Sequence, residues 1–278
     1  ELGAPVPRYR EVASAADLDA IDELAAETGG GLVVKASRGG YDGKGVTLTD
    51  DVTQARAAAE GYLAAGVAVL VEEKVAMRRE LAALVARSPF GQGAAWPVVH
   101  TVQEDGICVG VIAPAPQLDA AVATAAEQLA LRIADELGVV GVLAVELFET
   151  VDGDLVVNEL AMRPHNTGHW SIDGASTSQF ENHLRAVADL PLGPTEVRQP
   201  QAAMVNVLGG ARDDLLEAQA EVLVTEPGAR VQLYGKSWVP GRKLGHVTAV
   251  GADLDDTRAR ARVAADLFMG VPERSHHG

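Results

Sequence analysis

The sequence predicts an α+β protein built of two or three compact units, and three observations carry that reading. Residues 32–49 read as strand, glycine-rich loop and strand, with a lysine in the first strand and another at the tip. Residues 139–170, VVGVLAVELFETVDGDLVVNELAMRPHNTGHW, hold two apolar, β-rich arms around Asp152-Gly153, a strong two-residue hairpin signal. Residues 202–269 run strand, helix, strand, strand, helix, a small α+β unit. A length of 278 residues leaves room for a core in each unit, and a composition that is 47% hydrophobic marks the chain as globular.

Taken in order, residues 1–13 read as an extended lead-in with two prolines. Residues 14–27 read as a helix, with Ser14 as N-cap, Asp17 at the capping-box offset and Gly29-Gly30-Gly31 as the stop. Strands follow at 32–37 and 46–49. Asp50 or Asp51 caps an alanine-rich helix that ends near Gly66. Further strands are expected at 67–75, 79–88, 94–103 and 107–113, and a strongly periodic helix at 117–137 stops at Gly138. After the hairpin come a helix at 178–188 and a loop-like boundary at 191–200. The last unit has strands at 202–208, 230–233 and 244–250, a helix at 213–222, and a final helix to Met269 capped by Asp255 or Asp256. Arg258, Arg260 and Arg262 alternate at spacing two, so on a helix they spread into a solvated face. His276 and His277 read as part of a frayed tail.

Composition narrows the function. The formal charge of −16 argues against nonspecific nucleic-acid binding and against an anionic membrane surface. One cysteine, Cys108, excludes an internal disulfide and a cysteine-rich zinc site, and fits a reducing cytosol. No apolar run reaches the roughly 20 residues of a membrane span. The chain opens on Glu1-Leu2-Gly3-Ala4-Pro5, with no secretory signal and no initiator Met, as the later part of a longer protein would.

The hairpin carries the chemistry. Counting outward from a two-residue turn at Asp152-Gly153, Glu146 falls opposite Glu159, with Cβ atoms expected about 4.5–5.5 Å apart. Like charges so placed repel, and a divalent cation between them removes the conflict. Oxygen-only ligands suit Mg²⁺ or Mn²⁺. A plain exposed hairpin with two chance acids is the competing reading. Arg163, His165, Asn166 and His169 follow within one loop of Asn158 and Glu159, a concentration of cationic and hydrogen-bonding groups that suits anionic substrates.

The glycine loop reads as a phosphate-binding flap. Gly40, Tyr41, Asp42, Gly43, Lys44, Gly45 and Val46 let main-chain N–H groups approach an anion, and Lys35 and Lys44 supply charge. A solvated hairpin tip is the alternative. It is not a Walker A loop, because a strand follows where a helix should. All five lysines, Lys35, Lys44, Lys74, Lys236 and Lys243, lie in or beside these marked stretches.

Together these features resemble the ATP-grasp enzymes. Lys35 with RGGYDGKG at 38–45, EEKV at 72–75, RELAALVARS at 79–88, NELAMRPHNTGHW at 158–170 and GRKLGH at 241–246 resemble, within them, the N5-carboxyaminoimidazole ribonucleotide synthase family. The resemblance implies an ATP-grasp fold of two α+β subdomains clamping ATP, at 1–70 and 71–190, with a small C-terminal α+β domain at 191–278. It implies an ATP-dependent ligase in which bicarbonate is phosphorylated to carboxyphosphate and the carboxyl group passes to aminoimidazole ribonucleotide. On this reading Lys35 and the 40–46 loop hold the ATP phosphates. Glu72, Glu73, Lys74 and Val75 hold adenine, and Glu80 the ribose. Glu146 and Glu159, with Asn158 beside them, carry magnesium. Arg163, His165, Asn166 and Lys243 serve the bicarbonate and the transfer, and Tyr41, Lys236 and Arg242 reach the ribonucleotide. The resemblance also implies a cytoplasmic protein that is a homodimer at full length.

Two departures stand out. Gln103 occupies a position where the family often has a histidine. The family's N-terminal Rossmann-like domain, with its GGGQLG-type motif, has no counterpart here. Other readings are a different ATP-grasp ligase, such as a formate-using glycinamide ribonucleotide transformylase or a biotin carboxylase, and a nucleotide-binding module without turnover.

Overall fold

The structure is a computed structural model that describes residues 2–39, 45–104 and 106–271. The strands form two sheets. The smaller is antiparallel, in the order β1-β4-β2-β3, from Tyr9–Val12 (β1), Leu32–Ala36 (β2), Val46–Thr49 (β3) and Val69–Glu73 (β4). Helices Asp19–Thr28 (α1) and Val52–Ala64 (α2) pack on it around Ile21, Leu24, Val34, Ala55 and Val71. The lead-in is therefore not featureless, since β1 is an edge strand paired to β4. Nor does the first helix begin at Ser14. The Asp17 carboxylate accepts from the Ser14 N–H and hydroxyl, and this closes a short 3-10 turn before α1 starts. Asp51 caps α2 through the Thr53 N–H.

The larger sheet has the order β10-β9-β5-β7-β8-β11-β13-β12, with β6 beside β5. Its strands are Met77–Arg87 (β5), Gly93–Ala95 (β6), Val99–Glu104 (β7), Ile107–Ala113 (β8), Gly141–Thr150 (β9), Leu155–Ala161 (β10), Gln201–Leu208 (β11), Arg230–Leu233 (β12) and Lys243–Gly251 (β13). The single strand expected at 94–103 is split at Trp96-Pro97-Val98. Pro97 cannot donate to a ladder, and the buried Trp96 instead gives its indole N–H to the Thr177 carbonyl at 3.0 Å. β11 pairs with β8, so the strands of the last unit extend the large sheet instead of forming one of their own.

This sheet has two unlike faces. One is covered by helix Ala120–Glu136 (α3), capped by Asp119, in a core of Leu81, Ala83, Val85, Ile133, Leu143 and Leu147. The other packs Ala82, Leu84, Val142 and Ala144 under Trp96, Trp170 and Met204. Trp170 belongs to the segment that leaves β10 and passes through helices Ser171–Gly174 (α4) and Gln179–Val187 (α5). Helices Leu215–Thr225 (α6) and Leu254–Met269 (α7) cover the C-terminal strands. Asp253, not Asp255 or Asp256, caps α7, accepting from the Asp256 N–H. Arg260 is no solvated residue. It is half-buried, hydrogen-bonds the Val250 carbonyl and pairs with Glu226 and Asp256. Among the described residues no helix is long and apolar enough to cross a membrane.

Candidate active site

The central hairpin differs in detail from the sequence reading and still brings the same two acids together. The Thr150 N–H donates to the Asp154 carbonyl, so the loop is the three residues Val151-Asp152-Gly153, with Gly153 at φ 90°. Glycine suits that left-handed position. The longer loop places Val157 opposite Leu147, one residue out of the register that a two-residue turn would set. A β-bulge between Val157 and Glu159 then restores it, and Glu159 lies opposite Glu146. Val157 consequently joins the core under α3 while Glu159 pairs with Glu146 on the opposite face.

On that face Glu146, Glu159 and His165 each offer a ligand atom, all within 4.8 Å of one another. His165 Nε2 is 3.8 Å from Glu146 Oε1. Burial, then the charges of Glu159 and Glu80, push the Glu146 carboxyl up to about 7, while Lys243 and Arg163 pull it down. Glu80 lies on the same face two residues before Ala82, which is opposite Glu146. Burial raises its carboxyl too, and a hydrogen bond with Gln103 opposes the rise. Gln103 thus touches the site through Glu80.

The bulge also engages the small sheet. Lys35 Nζ is 2.9 Å from Asn158 Oδ1 and 2.6 Å from the buried Glu72 carboxylate. Lys35, Glu72, Asn158 and Glu159 therefore form a continuous polar strip across the two sheets. Val46 stands opposite Lys35 on β3, and the Gly45 carbonyl accepts from the Ala36 N–H. Gly40, Tyr41, Asp42, Gly43 and Lys44 lie outside the described residues. Glu73 and Lys74 are engaged elsewhere. The Glu73 carboxylate pairs with Arg8 at 2.8 Å and Lys74 with Asp50 at 3.1 Å, and their main-chain N–H groups donate to Arg8 and Gly31. Val75 is half-buried beside them.

The loop after β10 brings the other groups in. Arg163 is exposed, with its guanidinium on the Pro164 carbonyl. His165 is buried, its Nδ1 bonded to the Thr167 hydroxyl at 2.9 Å. The Asn166 amide nitrogen is buried, and its side chain lies against the Cys108 thiol. Lys243, at the start of β13, reaches the same region, for its charge depresses both Glu146 and His169. Arg242 donates to Ser237, and Lys236 Nζ sits 5.3 Å from the Tyr234 ring centre.

Behind this loop lies a layer of stacked rings that the sequence did not announce. His169 stacks on His246 and Phe180 at centroid distances of 5.3 and 5.5 Å, and Tyr234 hydrogen-bonds His246 Nδ1 at 2.7 Å. Burial holds both imidazoles neutral, with pKa values of about 4 for His169 and about 3 for His246. Gln179, fully buried, bonds to the main chain of His165 and to the His169 ring. A glutamine in the first turn of a helix reads as surface, and no periodicity would have pointed to it.

An ATP-grasp domain model matches residues 1–180, and a phosphoribosylaminoimidazole carboxylase C-terminal domain model matches 202–260. N5-carboxyaminoimidazole ribonucleotide synthase of Mycobacterium tuberculosis (strain ATCC 25618 / H37Rv) is 60% identical over 95% of this chain, which spans 61% of that protein's length. The crystal structure of the synthetase from Thermus thermophilus superposes with a TM-score of 0.80 at 37% identity, over 100% of this chain and 71% of that one. The synthase from Aspergillus clavatus, solved with ADP and 5-aminoimidazole ribonucleotide, gives a TM-score of 0.80 at 30% identity, over 96% of this chain and 69% of that one.

Proposed function

Because the chain belongs to the N5-carboxyaminoimidazole ribonucleotide synthase family of ATP-grasp proteins, we propose that the protein containing it carboxylates aminoimidazole ribonucleotide at the expense of ATP. Bicarbonate takes the γ-phosphoryl group of ATP to give carboxyphosphate and ADP. The ribonucleotide amine then takes the carboxyl group, and phosphate leaves. The observation that carries this reading is the acid pair, Glu146 against Glu159, between a lysine-bearing strip on one side and the Arg163–Asn166 loop on the other.

The donor set fits a hard divalent cation, since two carboxylates face each other and burial, with like charge beside it, makes ionisation of Glu146 costly. Glu146 and Glu159 are the residues that would hold Mg²⁺ or Mn²⁺, which when bound supplies neutralisation of phosphate charge. The rest falls to the chain. Lys35, already in a hydrogen bond with Asn158, directs positive charge toward the phosphates, with Gly45 and Val46 beside it. Glu72 to Val75 are assigned to adenine through the polar groups that their contacts with Arg8, Gly31, Lys35 and Asp50 leave available, and Glu80 to the ribose. Arg163 offers a planar, always-charged fork to planar bicarbonate, flanked by His165, Asn166 and Lys243. Tyr41, Lys236 and Arg242 serve the ribonucleotide. Phosphoryl transfer depends on such positioning and electrostatics more than on covalent chemistry by the protein.

In this reading residues 1–70 and 71–190 clamp the nucleotide, 191–278 closes the acceptor side, and the full-length protein is a cytoplasmic homodimer. ADP release from the full-length protein and from this chain, with and without bicarbonate and ribonucleotide, tests the proposal. Bicarbonate-dependent, magnesium-dependent release is expected of the full-length protein, and release indifferent to bicarbonate would overturn the assignment. Tight ATP binding by this chain without release would define it as the nucleotide-binding part alone.

A further inference from the structure

We propose that Gln179 is a positioning residue for the acceptor loop, holding the main chain at His165 and hence the placing of Arg163 and His165 against Glu146. The inference rests on the carboxylation reading for its kinetic consequence and on geometry alone for its structural one. His165 lies in an irregular stretch between β10 and α4, where only a single 3-10 turn at Asn166–Gly168 orders the chain. Segments of this kind have few internal hydrogen bonds to fix them. Here one side chain supplies them from outside. Gln179 Oε1 accepts the His165 N–H at 2.8 Å, and Gln179 Nε2 donates to the His165 carbonyl at 2.8 Å. The same nitrogen donates its second proton to His169 Nδ1 at 2.8 Å.

The orientation of the amide is forced. A main-chain N–H can only donate and a main-chain carbonyl can only accept, so Oε1 and Nε2 cannot be exchanged. The same logic makes His169 Nδ1 an acceptor and puts that ring's proton on Nε2. Gln179 is itself anchored, because its N–H donates to the Ser171 hydroxyl, which donates to the Gly168 carbonyl. There is no slack in the packing. A Cβ added at Gly168 would stand 2.5 Å from Gln179 Oε1 and 2.6 Å from Leu84 Cδ2. A fully buried amide with both of its protons and one lone pair of its oxygen engaged is costly unless those partners are present. A hydrocarbon would fill the space as well, and would leave the His165 N–H without this acceptor and the His165 carbonyl with the Gly168 N–H.

The consequence is catalytic reach without contact. Fixing residue 165 on both sides directs the imidazole, whose Nδ1 is held by Thr167, so that Nε2 faces Glu146 at 3.8 Å. It also fixes the loop two residues after Arg163. Displacement of reacting groups by about 1 Å can cost on the order of 100-fold in rate.

The test uses full-length protein with Gln179→Met, which keeps volume and removes all three bonds, and Gln179→Glu, which keeps shape and removes the donors. Expected in both are ATP affinity within about 3-fold of wild type and a fall of about 30- to 100-fold in kcat/KM for bicarbonate. Faster hydrogen exchange at the His165 amide should accompany it. Equal kcat/KM for bicarbonate in wild type and both variants overturns the proposal. So does a parallel loss of ATP affinity, which would mark Gln179 as a general structural support. If Gln179→Met does not fold, the near-isosteric Gln179→Glu is judged by the same criteria. If wild type shows no bicarbonate dependence, the carboxylation reading fails. Exchange at His165 then decides the positioning role alone, for unchanged exchange in the variants overturns it and faster exchange upholds it.

Discussion

Glu146 and Glu149 stand three residues apart on β9 and, by strand alternation, on opposite faces of one sheet. Glu149 is 3% exposed and is met by Arg79 at 2.5 Å and Arg78 at 3.3 Å. Arg79 is anchored in turn by the Pro116 and Gln117 carbonyls. Glu146 is largely buried too, and burial first, then the charges of Glu159 and Glu80, leave it easier to protonate although Lys243 and Arg163 oppose them. The same residue type on the same strand is charge-matched on the face that only holds the fold together. On the other face it is left with negative charge in excess. An imbalance of this kind costs stability and persists where a ligand supplies the missing charge.

The widest gap between the two residues should appear in turnover. Glu159→Gln, read by magnesium-dependent ADP release from the full-length protein, should lose about 100- to 1000-fold, since the change removes one of the two carboxylates that would hold the proposed cation. Wild-type release from this variant would break the comparison at its functional end. Glu149→Gln should invert the pattern. It strands Arg79 with no carboxylate in a buried setting, for about 3 kcal/mol of lost stability by denaturant unfolding, with ADP release per folded molecule unchanged. A Glu149 variant that stays stable but is inactive would mean that both faces serve the site.

pH sharpens the contrast. Glu146 in the folded, cation-free protein holds its proton up to about 7, against an ordinary value of 4.5. Between those values the native state binds a proton that the unfolded chain has released, so stability must fall as pH rises across that window. The loss is on the order of 3 kcal/mol. Unfolding of chelator-treated protein across this window should show the slope, and Glu146→Gln should flatten it. A wild-type protein equally stable across the range would remove the evidence for excess charge. The smallest effect is expected from Arg163→Lys, which keeps the charge and loses the fork. Bicarbonate-dependent ADP release should fall by about 10- to 30-fold with ATP affinity within a few-fold. Collapse of ATP binding instead would move Arg163 to the nucleotide site.

Much of this arrangement was legible in the residues. Alternation and turn chemistry located both hairpin arms, and the spacing of Glu146 and Glu159 about Asp152-Gly153 named the acid pair. The pairing emerged through two departures that cancel, a loop one residue longer and a bulge one residue later. Neither has a local signature strong enough to see, because bulges answer to the packing of both faces at once. Lys35 and Asn158 were each singled out, but 123 positions separate them, and only the closed fold reveals their hydrogen bond. Gln179 was invisible for the opposite reason. Two of the three bonds its side chain makes are to main-chain atoms, which every residue carries, so nothing in their identity marks the site.

The bulge has one further consequence. Neighbouring residues of a regular strand project to opposite sides, yet here Val157 enters the core, Asn158 reaches Lys35 and Glu159 meets Glu146. Remove Asn158 and the ladder closes without strain: Val157 keeps Leu147, Glu159 keeps Glu146, and each remains on its own face. In an alignment, a gap at position 158 would therefore look harmless, preserving every strand pair while erasing the amide that ties the hairpin to Lys35. Length variation at this point is tolerated by the architecture and can be opposed only by the chemistry.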